Sequence, residues 1–230
     1  MGKDNPDGKT PRRIITGDDY IESLRGRNLV VYLFGQRVVE PVDHPLIRPS
    51  INAVAKTYDL AAARPDLASA LSPFTGERVN RFLHIATSAE DVVLQNKMQR
   101  RLGQLTGTCF QRCVGMDALN ALYSVTYEID EKHATPYHAR LKAFITQMQH
   151  GNFVIGGAMT DVKGDRSKPP NQQADPDLYL HVSRRTPQGV YVRGAKAHQT
   201  GCINSHWLVV MPTLRLRPDD ADYAICGAIP

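Results

Sequence analysis

The feature that most constrains this chain is a change of period at Gly151: helical spacing before it, short alternating runs after it. In the first stretch Ile51, Val54, Ala55 and Tyr58 fall at i, i+3, i+4 and i+7, the apolar stripe of a helix over residues 51–63 opened by Pro49-Ser50. A longer helix is expected from Ser88 through Arg101, with Val92, Val93, Leu94, Met98 and Leu102 as its apolar positions. Another is expected over residues 109–130, with Cys109, Cys113, Met116, Leu119, Asn120 and Tyr123 on its core face. A last one starts at Pro136 and carries Leu141, Phe144, Ile145 and Met148 at helical spacing. Near the start, Asp18 is read as the cap of a short helix through Leu24 that Gly26 ends. Leu29-Val30-Val31-Tyr32-Leu33-Phe34 reads as a buried strand or extended segment.

Past Gly151, strands are expected at Phe153-Val154-Ile155, Leu178-Tyr179-Leu180-His181-Val182, Val190-Tyr191-Val192, Trp207-Leu208-Val209-Val210-Met211 and Tyr223-Ala224-Ile225. Thr186-Pro187-Gln188-Gly189 reads as a hairpin turn, and Gly156-Gly157 with the polar residues 160–175 as a long loop. Helices followed by antiparallel strands make an α+β fold: a disordered tail over 1–15, a helical domain over 16–150 and a β domain over 151–230. The chain stops at Pro230 directly after a strand, so the β domain is expected to be incomplete.

With 42% hydrophobic and 22% charged residues in 230, the composition is that of a soluble globular chain with enough apolar mass for a core. No apolar run approaches the roughly 18 residues of a membrane span, and the polar N-terminus has no apolar signal segment. The net charge of +5 is spread over short clusters such as Arg100-Arg101 and Arg184-Arg185, which argues against a nucleic-acid partner. Four cysteines in a chain this long make no disulfide framework and fit a reducing, cytoplasmic setting. Two of them, Cys109 and Cys113, stand at C-x3-C. On a helix that spacing sets two sulfurs on one face a turn apart, near enough to hold one metal centre. Zinc or an iron–sulfur cluster takes four ligands, so the pair is half a site; taken alone, two cysteines acting as small buried hydrophobes explain it as well.

Several runs, in order, resemble the 4-hydroxyphenylacetate 3-hydroxylase flavoprotein family, and within it the 4-hydroxybutyryl-CoA dehydratases. They are Asp43-His44-Pro45-Leu46-Ile47-Arg48-Pro49-Ser50-Ile51-Asn52, residues 109–117, Thr126-Tyr127-Glu128-Ile129-Asp130, Gly157-Ala158-Met159-Thr160-Asp161, Lys163-Gly164-Asp165-Arg166-Ser167, Asp175-Pro176-Asp177-Leu178 and Gly194-Ala195-Lys196-Ala197-His198-Gln199-Thr200-Gly201. The C-x3-C belongs to the dehydratase branch of the resemblance. It implies an acyl-CoA-dehydrogenase-like fold of helical domain, β domain and C-terminal helical bundle, of which this sequence supplies the first and most of the second; the bundle is absent. It also implies FAD and a [4Fe-4S] cluster, with Cys109 and Cys113 as two cluster ligands and a His and a Cys from the later region as the others.

By the same resemblance Thr160, Asp161, Asp165, Arg166 and Ser167 contact FAD, and Gln199 and Thr200 approach the flavin ring. Gln111 is implied to face substrate or cluster, and the Thr200 hydroxyl to lie near flavin N5, so these two are the expected catalytic residues. Arg112 is read as a solvated charge or the partner of an acid, and Lys196 as a coenzyme A phosphate partner or a surface charge. His198 is read as a half-buried strand histidine, Cys202 and Cys226 as buried, and Asp43-His44-Pro45 as a turn.

The implied reaction is dehydration of 4-hydroxybutyryl-CoA to crotonyl-CoA, with vinylacetyl-CoA isomerisation, by a flavin radical mechanism. An acyl-CoA is the expected substrate, and a homo-oligomer or a separate chain bearing the C-terminal domain the expected partner; alone, the chain is expected to be inactive. The competing readings are a flavin-dependent 4-hydroxyphenylacetate 3-monooxygenase-like oxygenase and a non-catalytic remnant. A zinc or redox dithiol module ranks last, because no second cysteine pair stands at zinc spacing.

Overall fold

Helix α1 (Gly17–Ser23) starts on Thr16, not on the expected Asp18. The Thr16 hydroxyl accepts the Asp19 amide at 3.0 Å and the Asp19 carboxylate accepts the Thr16 amide at 3.0 Å, a reciprocal cap. The computed structural model describes residues 13–230, which divide into one unit up to Phe153 and another from Val154. Of the tail expected over 1–15, residues 1–12 lie outside the described residues. Ile14 is already part of the first unit, buried, with its amide bonded to the Gly151 carbonyl at 3.2 Å.

Strands β1 (Val31–Leu33) and β2 (Gln36–Val38) pair as a small antiparallel hairpin. The buried strand expected here is exposed instead: Tyr32 is 63% and Phe34 90% accessible. Three residues per strand with a polar Gln-Arg partner give no second apolar layer to bury against. Helix α2 (Arg48–Ala63) begins with Pro49 in its first turn and buries Ile51, Val54, Ala55 and Tyr58, the face that the spacing predicts. The short helix α3 (Pro65–Ala68) leads into β3 (Ser69–Leu71), paired antiparallel with β4 (Arg78–Asn80), and a 3₁₀ turn over Arg81–Leu83 follows.

Helix α4 (Ala89–Thr106), capped by Ser88, continues past Arg101 until Gly107 ends it in the left-handed conformation. Of its five expected core positions only Met98 and Leu102 are buried; Val92 and Val93 are each 48% exposed. Helix α5 (Cys113–His133) packs along α6 (Tyr137–Gly151). Asp130 joins them by accepting the Tyr137 amide at 3.0 Å and the His138 amide at 2.8 Å. One apolar cluster of this unit gathers Leu60, Ala68, Phe82, Met98, Leu102, Phe110 and Met116, with Cys113 packed against it.

In the second unit β5 (Ile155–Ala158) contains Gly156 and Gly157, which the sequence placed in a loop. Strands β6 (His181–Thr186) and β7 (Gly189–Arg193) form the expected antiparallel hairpin, with an irregularity between Val182 and Arg184. Strand β8 (Trp207–Val210) lies in the middle of a three-stranded sheet, between β5 and β9 (Gly227–Ile229). β8 pairs antiparallel with β9 but parallel with β5, so the purely antiparallel expectation is corrected. A side chain at Gly156 would meet Ser205 Oγ at 2.5 Å and Leu208 Cδ2 at 2.9 Å; the close β5–β8 packing needs glycine there. The strand expected at Tyr223-Ala224-Ile225 is a 3₁₀ turn over Pro218–Tyr223 that runs into β9, because the Asp220 carboxylate accepts the Arg217 amide at 3.1 Å and holds the turn.

Candidate functional site

Between Gly107 and α5 the chain makes one tight corner that carries both cysteines of the C-x3-C pair. Phe110 is buried there, its ring 5.5 Å from that of Phe82. Gln111 then takes φ +61, a left-handed turn that a helix cannot contain, and Arg112 stands at the N-cap of α5. Cys109 therefore lies before the helix and only Cys113 on it, which corrects the reading of both on one helical face. The two cysteines still belong to one corner. The Gln111 amide donates to Cys109 Sγ at 3.4 Å, and Cys113 is half-buried with its thiol pKa pushed up, first by burial and then by the charge of Cys109. Two thiols at C-x3-C, one exposed, are of the chemical type for two positions of a four-ligand metal centre, and among the described residues no group of three or more His, Cys, Asp or Glu could hold a metal ion.

Arg112 is not solvated, and among the described residues it is not paired with an acid. It is 1% exposed, with its guanidinium 4.8 Å from the Tyr58 ring centre and 5.0 Å from that of Phe82. Nη1 donates to Thr57 Oγ1 at 2.9 Å and Nη2 to the Phe153 carbonyl at 3.4 Å. Sequence reasoning missed this anchor, because its partners sit on α2, after β4 and after α6 and share no local pattern with it.

In the second unit the segments expected at the flavin meet at Thr160, whose carbonyl accepts the Ala197 amide at 2.9 Å and the Gln199 side chain at 3.3 Å. Thr200 is exposed in the turn that follows, and His198 is an exposed left-handed residue (φ 54), not a half-buried strand histidine. Asp161 is 4% exposed and forms a buried ion pair with Lys196 at 2.5 Å; its other oxygen accepts the Thr213 hydroxyl at 2.9 Å. Lys196 donates further to the Met211 carbonyl at 2.7 Å and the Met159 carbonyl at 3.1 Å. It is thus not a surface charge, and its protons go to three protein oxygens.

Past Asp161 the backbone bends through left-handed Lys163 (φ 81) and Gly164 (φ 51). Gln173 clasps the bend, accepting the Asp165 amide at 3.0 Å and donating to its carbonyl at 2.8 Å. The Ser167 hydroxyl and amide donate to the Asp165 carboxylate and hold its pKa below the usual carboxylate range. Arg166 is exposed and forms no ion pair among the described residues, a cation open to an anionic group. Of the remaining residues, Cys202 is half-buried in a 3₁₀ turn and Cys226 is exposed, against the expectation of burial for both. Asp43 does fix the turn before α2, bridging Arg25 at 2.5 Å and Arg48 at 2.7 Å.

The chain is 49% identical, over 94% of its length, to the 4-hydroxybutyryl-CoA dehydratase/vinylacetyl-CoA-Δ-isomerase of Clostridium aminobutyricum, covering 45% of that protein. It is 25% identical, over 94% of its length and 44% of the relative's, to the oxygenase component of 4-hydroxyphenylacetate 3-monooxygenase from Thermus thermophilus. Among solved structures, an oxygen-tolerant archaeal 4-hydroxybutyryl-CoA dehydratase from N. maritimus superposes with a TM-score of 0.92 at 69% identity, matching 94% of this chain and 43% of its own. The oxygenase component of a 4-hydroxyphenylacetate 3-monooxygenase complexed with FAD shares the fold, with a TM-score of 0.74 at 23% identity over 94% of this chain and 44% of that one. The chain thus spans less than half the length of these relatives. A family model for the N-terminal region of 4-hydroxyphenylacetate 3-hydroxylase matches residues 16–230, and the chain belongs to that family.

Proposed function

We propose that the chain is the N-terminal part of a 4-hydroxybutyryl-CoA dehydratase, holding two ligands of a [4Fe-4S] cluster and one wall of an FAD site. The observation that carries this reading is the cysteine corner: two free thiols at C-x3-C, one just before α5 and one at its first residue, in a chain 49% identical to a dehydratase. When bound, the cluster supplies a Lewis acid for a leaving hydroxyl and the flavin supplies one-electron chemistry.

The chain's own residues bind and orient. Cys109 and Cys113 are cluster ligands, and Gln111 presents its amide side chain beside them toward an acyl-CoA. Thr160 and Gln199 hold the two flavin segments together, which leaves the exposed Thr200 hydroxyl to donate toward the flavin ring. Arg166 takes the pyrophosphate, on a loop whose Asp165 and Ser167 donors are already bonded within it and so hold its shape. Asp161, sealed against Lys196, supports this wall from behind.

The remainder of the longer relatives' length, whether on the same polypeptide or on another, is the partner that completes both sites, and residues 1–230 by themselves do not dehydrate substrate. The test is iron, sulfide and FAD content after anaerobic purification, alone and co-expressed with such a partner. Cofactors and crotonyl-CoA formation only in the co-expressed protein bear the proposal out; full activity of the isolated chain overturns the need for a partner. Flavin without iron, with phenol-dependent oxygen uptake, replaces the dehydratase with the hydroxylase activity of the distant relatives. Neither iron nor flavin in either preparation leaves a non-catalytic remnant.

A further inference from the structure

Arg112 is a buried cation with no carboxylate within ion-pair distance among the described residues, a costly choice for a position that a Met or Leu would fill. What the guanidinium gives that an apolar plug does not is direction. Its central carbon lies over both the Tyr58 and the Phe82 rings, and its fork reaches Thr57 Oγ1 and the Phe153 carbonyl. Thr57 is itself fixed, since its hydroxyl donates to the Val54 carbonyl at 2.7 Å, so its lone pairs face Arg112. Three separate segments therefore pin one side chain, and that side chain is rooted in the peptide between Gln111 and Cys113.

On one side of this root Gln111 is forced into its left-handed turn, which folds Cys109 back until its sulfur accepts the Gln111 amide. On the other side α5 begins at Cys113. No hydrogen bond joins the guanidinium to either sulfur, so it acts through the backbone and not as a counter-charge.

We infer that Arg112 is the positioning residue of the Cys109–Cys113 pair, fixing the two sulfurs in the arrangement in which they share one metal. The inference rests on the reading of the pair as metal ligands, and the test separates the two. The full chain, reduced and anaerobic, is titrated with Cd²⁺ and followed by thiolate-to-metal ultraviolet absorption, which reports how many thiolates each ion takes. Two-thiolate binding by the wild type and its loss in Cys113→Ala establish the pair; without them the ligand reading fails, and the inference with it. Given the pair, Arg112→Met is expected to bind Cd²⁺ about ten- to a hundred-fold more weakly, with absorption per ion falling toward one thiolate. A fold that was only less stable would shift the melting temperature and leave the absorption per ion unchanged. Thr57→Val, which keeps Arg112 but removes its fixed acceptor, is expected to weaken binding in the same direction and decides the matter if Arg112→Met does not fold. Wild-type Cd²⁺ affinity and absorption in Thr57→Val, and in Arg112→Met where it folds, overturn the inference.

Discussion

Asp91 carries more of the first unit's internal charge balance than any motif announces. Its carboxylate accepts from the Thr87 amide at 3.1 Å and the Ser88 hydroxyl at 3.2 Å, and meets the buried Arg81 guanidinium at 3.1 Å. Burial alone raises this carboxyl, but the Thr87 amide and its other partners outweigh that and hold its pKa well below the ordinary carboxylate range. A depressed folded-state pKa contributes stability above the unfolded value of about 3.9 and loses it as pH falls toward the folded value. Urea midpoints measured from pH 5 to pH 3 should therefore fall for the wild type and fall less steeply for Asp91→Asn. Parallel slopes would remove Asp91 as the cause. The Asp161–Lys196 pair is a different case: both partners are sealed and every Lys196 proton is spent on an oxygen, so its effect is to specify one loop arrangement.

At the scale of elements the hairpin of β1 and β2 is the least supported piece of the first unit. Its two central residues, Phe34 (φ 50) and Gly35 (φ 77), are both left-handed, as a two-residue type I′ turn requires. A left-handed aromatic costs about 1–2 kcal/mol, and Phe34 has no packing to offset it at 90% exposure. Phe34→Asn should raise stability by about 1 kcal/mol in urea unfolding; a loss would mean that the Phe34 ring is covered in solution. No propensity argument reaches this, since Leu29–Phe34 has the composition of a buried strand and only its partner Gln36-Arg37 reveals that nothing covers it. Where a period extends over several turns, as in α2, the sequence was enough to name the buried face. It failed at ends: Thr16-x-x-Asp19 is a legible cap that Asp18 concealed, and Cys109 seemed helical because Cys109, Cys113 and Met116 continue a helical spacing across a left-handed Gln111. It failed also on direction, because alternation tells which face of β5 and β8 is buried and not that they run parallel. Apart from the C-x3-C pair, the candidate residues themselves came from the resemblance and from no local pattern. The anchor of Arg112 and the lock of Lys196 were legible in neither, since each is made by segments that only folding brings together.

For the molecule as a whole, the decisive fact is that the cysteine corner lies in the unit up to Phe153 and the Thr160, Arg166 and Thr200 segments in the unit from Val154. Each set of ligands is held by contacts internal to its own unit: Arg112 on Thr57 and Phe153 in one, Thr160 on Ala197 and Gln199 in the other. Removing one ligand set should then leave the other intact. In the co-expressed protein Cys109→Ala is expected to lose iron and sulfide while retaining FAD, and Arg166→Ala to lower FAD occupancy while retaining iron. Such a split pattern ties iron to the thiol pair and flavin to the loop, and it separates a dehydratase from a hydroxylase, whose flavin content would be indifferent to Cys109 and whose preparation would hold no iron to lose. Loss of both cofactors in Cys109→Ala would show instead that the flavin wall depends on the cluster, and the assignment of two independently held ligand sets would fail.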